Sequence, residues 1–504
     1  MKIVLLPLDD RPCNLYFPKI LPYGRDKVSI APSQIMGNQK RSANIEGLQN
    51  WLFDECKDAD YLVMALDTLI YGGLIPSRLH HKSKEELINN LDFVKKIREA
   101  YPNLKIFAFL TIMRTPNSNF DSEEPLYWKR HGKRIFRLGQ LIHKEKMGIL
   151  TPDEKKELKE LKNEIPYKTI RDYRDRRKVN LEVLHHAYDL YVENYFDYFY
   201  IPQDDSNPYG FTRLDQMDII EYINKCGKSV KIFPGADEVG LVMLTRAINE
   251  FYNKKPKVYV YYASCKGPFV VPSFEDRMID STINDQILSI GGIRVNSLSE
   301  CDFVLAINIG GDMLYFPNEE ERIIPYDIER NLADFINYIK YVKSMGKVVG
   351  VCDVAIPTGS DFELVNLLRK EGLMLKIDGY ASWNTASNTI GTVLSELSCY
   401  MHSHNYKKNL KFLIHRYYDD LGYCSFTRTW TDINAALARG YSEARLDGKR
   451  GKITRMCKAK LLSYMEEEYT EVSKYVEDIA VSSPWNRSFE MQFTIKYNEK
   501  MMKK

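Results

Sequence analysis

Short apolar runs rich in Val, Ile, Leu, Tyr and Phe recur along the chain, each followed by a polar turn rich in Gly, Pro or Asp and then by a stretch with helical spacing. They fall at 2–8, 27–31, 61–66, 105–112, 198–202, 230–233, 257–262, 303–307, 347–351 and 374–377. Unbroken apolar runs of this length, alternating with helical spacers, are how strands buried on both faces of a parallel sheet or barrel read. The pattern predicts an α/β fold with mostly parallel strands.

Two departures from this rhythm organise the chain. Between the fourth and fifth runs lies a charged insertion at about 115–194, which reads as a helical hairpin; Thr151-Pro152-Asp153-Glu154 places an N-cap residue before a proline at the first helical position. It is expected to form a solvated flank, with Arg171, Arg174, Arg176 and Arg177 as the alternative, a source of substrate specificity. Asn253-Lys254-Lys255-Pro256 is a polar break, and beyond residue 400 the strand pattern fades. The expected organisation is an α/β barrel-like domain over 1–255 with an incomplete barrel as its form, a flavodoxin-like α/β domain over 256–400, and a mainly helical C-terminal region over 401–504.

Composition narrows the function classes. With 71 Lys+Arg against 68 Asp+Glu the formal charge of the 504 residues is only +3, which argues against nucleic acid as a partner. Mean hydropathy is −0.38 and no window approaches a spanning apolar segment, so no membrane partner is expected. The initial apolar run meets Asp9-Asp10 too early for a signal peptide, and the nine cysteines include no C-x-x-C pair; a cytoplasmic, reducing location is expected. Tyrosine is abundant, at 34 residues, which suits carbohydrate ligands, although a low-GC genome produces the same bias. The chain has no G-x-G-x-x-G, no P-loop and no H-E-x-x-H, so no cofactor is expected. A homo-oligomer is allowed, but no heptad specifies one.

In parallel α/β folds the ligand sits beyond the carboxyl ends of the strands, and the turns there are unlike filler. The first run ends in Pro7-Leu8-Asp9-Asp10-Arg11-Pro12-Cys13-Asn14 and the third in Asp67-Thr68-Leu69-Ile70-Tyr71-Gly72-Gly73, leading to Arg78. Arg114 follows the fourth, Gln203-Asp204-Asp205-Ser206-Asn207 the fifth, and Asp237-Glu238 the sixth. The second half repeats the habit with Asp312, then with Gly379-Tyr380-Ala381-Ser382-Trp383-Asn384-Thr385-Ala386-Ser387-Asn388-Thr389. Trp383 beside Asn384 and Asn388 combines a stacking face with amide hydrogen bonds, as a sugar subsite does. The expected substrate-binding residues are therefore Asp9, Asp10, Arg11, Asn14, Asp67, Tyr71, Arg78, Arg114, Asn207, Asp237, Glu238, Asp312, Tyr380, Trp383, Asn384 and Asn388.

These phrases resemble a bacterial family defined only as a domain of unknown function, number 4127. The resemblance runs from Pro7-Leu8-Asp9-Asp10-Arg11-Pro12 through the Asp-Thr-Leu-x-Tyr-Gly-Gly-Leu and Gln-Asp-Asp turns to Gly379–Thr389. Such a family implies no mechanism, which has to come from the residues.

Asp204-Asp205 is the expected catalytic pair. Two carboxylates close together cannot both ionise freely, so one is driven upward and becomes a general acid at neutral pH. The arrangement is similar to that of N-acetylhexosaminidases that use substrate assistance, in which one Asp orients the acetamido group and the next protonates the leaving oxygen. The expected function is a carbohydrate-active hydrolase, most simply a glycoside hydrolase, on a small-molecule carbohydrate. Two alternatives stand beside it: a divalent-metal hydrolase or isomerase using Asp9, Asp10, Asp67, Asp204, Asp237, Glu238 and Asp312, and a non-catalytic cytosolic sugar-binding protein.

Overall fold

A computed structural model describes residues 1–311 and 329–502. Strands β1 (Lys2–Leu6), β2 (Lys27–Ile30), β3 (Tyr61–Ala65), β4 (Lys105–Phe109), β5 (Tyr198–Gln203) and β6 (Lys231–Pro234) form one sheet in the order β2-β1-β3-β4-β5-β6, each neighbouring pair parallel. Strands β7 (Lys257–Tyr262), β8 (Ile293–Arg294), β9 (Phe303–Asn308), β10 (Val348–Asp353) and β11 (Gly379–Ala381) form a second parallel sheet, ordered β11-β10-β9-β7-β8. Counted from its own first strand, this second sheet has the order 2-1-3-4-5 of flavodoxin-like folds, as expected. The first sheet has the same order with a sixth strand added. It is an open sheet, not an incomplete barrel. Strands buried on both faces carry the same apolar runs in either form, and only the pairing, which leaves β2 and β6 as edges, distinguishes them.

The chain divides into two compact units: Met1–Asp10, Lys27–Gly240 and Phe274–Asp276 make the first, and Arg11–Asp26, Leu241–Ser273 and Arg277–Lys504 the second. The division falls after Gly240, inside the helix Val239–Phe251, rather than at the polar break near residue 255.

In the first unit Val4, Leu6, Leu62, Met64, Ile106 and Ala108 pack with helix residues such as Leu48 and Leu52. The insertion forms three helices, Trp128–Lys146, Pro152–Glu164 and Tyr167–Val192. The second starts as the sequence predicts: the Thr151 hydroxyl accepts from the Glu154 N–H and the Glu154 carboxylate from the Thr151 N–H, both at 3.2 Å. The third is not a solvated flank, because Val183, Ala187 and Tyr188 are buried in the sheet's own core.

Period-2 geometry explains the second unit. Val304 and Ala306 of β9 enter one core, while Phe303, Leu305 and Ile307 enter the other. The residues beyond 400 do not stand apart: Leu413, Tyr417, Leu461 and Phe493 join the first of these cores. That region also holds an antiparallel hairpin, β12 (Val476–Ser482) with β13 (Gln492–Tyr497), whose buried Phe493 and Ile495 alternate with exposed Thr494 and Lys496. The apolar run at 374–377 is a partly buried turn after the left-handed Gly372, and the strand begins two residues beyond it, at Gly379. Among the described residues no helix is long and apolar enough to cross a membrane.

Candidate active site

In the first unit the turns after β1 and β3 are tied together: the Thr68 hydroxyl lies 2.8 Å from the Pro7 carbonyl and 2.7 Å from that of Leu8. This is where the strand order reverses, the usual place for a ligand in such sheets. Asp9 is buried here, and Asp10 accepts from the Asn38 amide at 2.8 Å. Asp67 opens the short helix Leu66–Tyr71 directly after β3 and is 1% exposed. Its Oδ2 accepts from the Thr111 N–H at 3.1 Å and hydroxyl at 3.0 Å. Burial raises its carboxyl to about 7 against these donors, and the Asp204 charge adds to the rise.

Beside it stands a cluster of two arginines and four carboxylates. Arg78 pairs with Asp204, and its Nη1 reaches Glu123 at 2.9 Å and Glu124 at 3.4 Å. Arg114 donates through Nη1 to Asp205 at 2.8 Å, through Nη2 to Glu123 at 2.8 Å and through Nε to Glu124 at 2.9 Å. Burial pushes Asp204 upward, but Arg78 and Arg114 outweigh it and hold the carboxyl below its usual range. Burial raises Asp205 to about 6 against Arg114, with the Asp204 charge assisting. The two neighbours are thus split, one ionised and one able to carry a proton near neutrality. The Asp205 side chain is 24% exposed against 8% for Asp204, so the proton carrier is the more accessible.

Arg114 is aimed by the insertion. Arg177, 4% exposed, donates to the Arg114 carbonyl at 3.0 Å and the Met113 carbonyl at 2.8 Å, and pairs with Asp215 at 2.6 Å. Arg176 pairs with Asp172 and donates to the His80 carbonyl. Neither arginine is offered to a substrate, and Arg171 and Arg174 are exposed.

Three buried atoms of this region have no protein partner: Asp67 Oδ1, Arg78 Nε and Glu124 Oε2. Buried polar atoms in native proteins are almost always satisfied, so these mark places for water or a ligand. Acceptors and a donor left without partners suit hydroxyls, which give and take at once.

Other expected residues stand elsewhere. Tyr71 is 2% exposed and packs in the core against His80, and Asn207 is half-buried beyond the aspartate pair. Asp237 is buried after β6, while Glu238 folds back onto its own turn, accepting from the Ala236 N–H at 3.1 Å. Glycine suits position 235, whose φ of 150° is one that residues with a side chain rarely adopt. Arg11 and Asn14 are buried in the second unit, with the Arg11 guanidinium 4.9 Å from the Trp485 ring centre. Asp312 lies outside the described residues. Among the described residues no three His, Cys, Asp or Glu side chains are grouped to hold a metal ion. The carboxylates proposed as ligands have other partners: Asp204 an arginine, Asp10 the Asn38 amide and Glu238 its own turn.

The second unit carries a separate polar network at its carboxyl rim. Asp353 ends β10 and is 1% exposed; its Oδ1 accepts from the Asn308 amide at 2.9 Å, and its Oδ2 from the Asp361 N–H at 2.8 Å and the Tyr380 hydroxyl at 2.9 Å. Tyr380 is therefore a buried positioning group, continued by Ser360 at 2.8 Å and Ser382 at 2.6 Å beyond that. Asp361 caps the helix Phe362–Lys370, its side chain accepting from the Glu363 N–H, and pairs with Arg330. Trp383 is half-buried with its indole N–H on the Thr392 hydroxyl at 3.1 Å and Phe17 edge-on to its ring, while Asn388 is buried on Thr385. Asn384 lines a cavity with Asp353.

Glu123, Glu124 and Asp353 were not among the expected residues. Glu123-Glu124-Pro125, an acidic pair before a proline in a basic insertion, was the available signal for the first two. Asp353 closes an apolar run and differs from filler only by that position.

The model of a family described as protein of unknown function, DUF4127, matches residues 3–494. No curated protein matches the chain.

Proposed function

The chain belongs to the DUF4127 family, and on that premise we propose that it is a hydrolase of a small, neutral carbohydrate working at the arginine-bridged carboxylates of its first unit. The observation that carries the reading is the split of Asp205, raised to about 6, from Asp204, held low. Asp205 gives its proton to the leaving glycosidic oxygen as the C–O bond breaks and recovers one from the attacking water. Asp204 stays ionised, raises Asp205 and orients a polar substituent, an acetamido group in the N-acetylated case.

The substrate class follows from charge. Arg78 and Arg114 are occupied by four carboxylates, so phosphate or carboxylate groups find their Nη atoms already paired. The partnerless Asp67 Oδ1, Glu124 Oε2 and Arg78 Nε favour hydroxyls.

A panel of nitrophenyl glycosides, with and without EDTA, tests this. The expected result is turnover of at least one glycoside, insensitive to chelator, that falls on the order of 10²- to 10⁴-fold in Asp205→Asn. Silence on every sugar, with no ligand-induced thermal shift, overturns it.

A cytoplasmic location belongs to the same reading. Among the described residues none of the nine cysteines is in a disulfide. Thiol titration of denatured, unreduced protein is expected to recover all nine, and several locked in disulfides would move the protein to an oxidising compartment.

A further inference from the structure

Phe274, Glu275 and Asp276 belong to the first unit although the chain on either side of them belongs to the second. Two sets of bonds hold this short segment to the end of β5 and the turn beyond it. The Phe274 carbonyl accepts from the Ser206 N–H at 2.8 Å, and the Asp276 carboxylate accepts from the Gln203 amide at 3.0 Å and from Arg213 at 3.3 Å. Gln203 and Ser206 are the residues on either side of Asp204-Asp205. The segment is thus fastened directly before and directly after the carboxylate pair.

The anchors are buried, but the ring between them is not. Gln203, Ser206 and the Asp276 side chain are at most 2% exposed, whereas Phe274 is 47% exposed. Its backbone is also left-handed, with φ of 69°, a region that bulky side chains rarely enter. Such a conformation persists only where its surroundings impose it, commonly at ligand clamps. Here the bonds to Ser206 and Gln203 impose it, and they use the carbonyl of 274 and the side chain of 276. Any residue offers that carbonyl, and glycine would take that backbone at less cost. Neither the anchoring nor the packing of the core calls for a phenyl ring, so its role faces outward.

The tyrosines of the neighbouring turns are committed elsewhere. Tyr71 lies in the core against His80, and the Tyr209 ring stands 5.4 Å from that of His143, with the Lys144 ammonium 5.4 Å from its centre. A sugar presents two kinds of surface, hydroxyl edges and C–H faces. The partnerless Asp67 Oδ1, Glu124 Oε2 and Arg78 Nε answer the first. An exposed flat ring seated beside Asp205 answers the second.

We propose that Phe274 is the stacking platform of the carboxylate site, its ring taking the C–H face of a pyranose whose leaving oxygen lies at Asp205. This rests on the hydrolase reading and narrows it to pyranosides with a contiguous C–H face. Phe274 touches the sugar but none of the reacting atoms, so it holds the ground state and the transition state alike. Its loss therefore falls on KM and not on kcat.

Steady-state kinetics of the full chain on whichever nitrophenyl glycoside it cleaves, with the free sugar released from that glycoside as inhibitor, test the platform. The free sugar is the decisive probe, because it lacks the aromatic aglycone that would itself stack. Phe274→Ala is expected to raise KM and the free sugar's Ki about tenfold, with kcat within about threefold of wild type. Should alanine fail to fold, Phe274→Gly decides: it removes the same ring, suits a φ of 69° and is expected to give the same losses. Phe274→Tyr is expected to restore both constants. An unchanged Ki in whichever ring-less variant folds, a fall in kcat in place of the rise in KM, or no rescue by tyrosine overturns the platform, and the hydrolase reading survives if turnover still depends on Asp205. Silence of the wild type on every glycoside overturns both.

Discussion

Arg114 Nη1 donates to Asp205 Oδ2 at 2.8 Å across 91 positions of sequence. The same guanidinium holds Glu124 through Nε, so one cation is shared between the accessible proton carrier and a buried acid. The charge state of Asp205 is therefore set by groups on the loops after β4 and β5 together, not by its neighbour Asp204 alone.

That sharing separates the two aspartates experimentally. Asp205→Asn is expected to remove turnover while changing stability little, because Arg114 keeps Glu123 and Glu124. Asp204→Asn removes the negative charge that helps raise Asp205, so the alkaline limb of the rate profile, set by loss of the Asp205 proton at about 6, is expected to move to lower pH. Turnover against pH for the wild type and Asp204→Asn checks this, and coincident limbs would refute the coupling.

Asp67 makes the stability of the protein pH-dependent in a definite direction. Its folded value is about 7, above the roughly 3.9 of an unfolded chain, so between these values only the folded state holds the proton. The contribution is full below about pH 4 and is lost as pH rises through 7. Asp67→Asn keeps an oxygen for Thr111 and abolishes this titration. Its melting temperature relative to wild type is expected to be more favourable at pH 8 than at pH 5, and an equal difference at both would contradict it.

Arg177 ties the insertion to the site. Arg177→Met leaves the Met113 and Arg114 carbonyls without this donor and Asp215 without its cation, so a loss of about 3–5 kcal/mol is expected. Urea unfolding measures it. A loss below 1 kcal/mol would mean that the long helix merely flanks the sheet.

Features that depend on near neighbours are legible in the chain before it folds. Nine of the apolar runs became strands, since burial on both faces requires an unbroken apolar stretch whatever lies opposite. The cap at Thr151 was legible because an N-cap needs only the side chain and the N–H groups two or three residues on. Placing polar turns at carboxyl rims followed from the parallel fold alone. The hairpin at the C-terminus was legible too, in its alternation at Phe493 to Lys496, but was masked by the helical sequence around it. Relations between distant positions came from the fold: that β2 and β6 are edges, that Arg78 meets Asp204 across 126 residues, and that Glu123 and Glu124 occupy both arginines. Burial decided the rest. Tyr71 and Tyr380 sit in cores although their turns read as rim, and burial beside the Asp361 charge raises Asp353 to about 7. Desolvation and long-range charge depend on everything folded around a group, and local spacing carries no record of that.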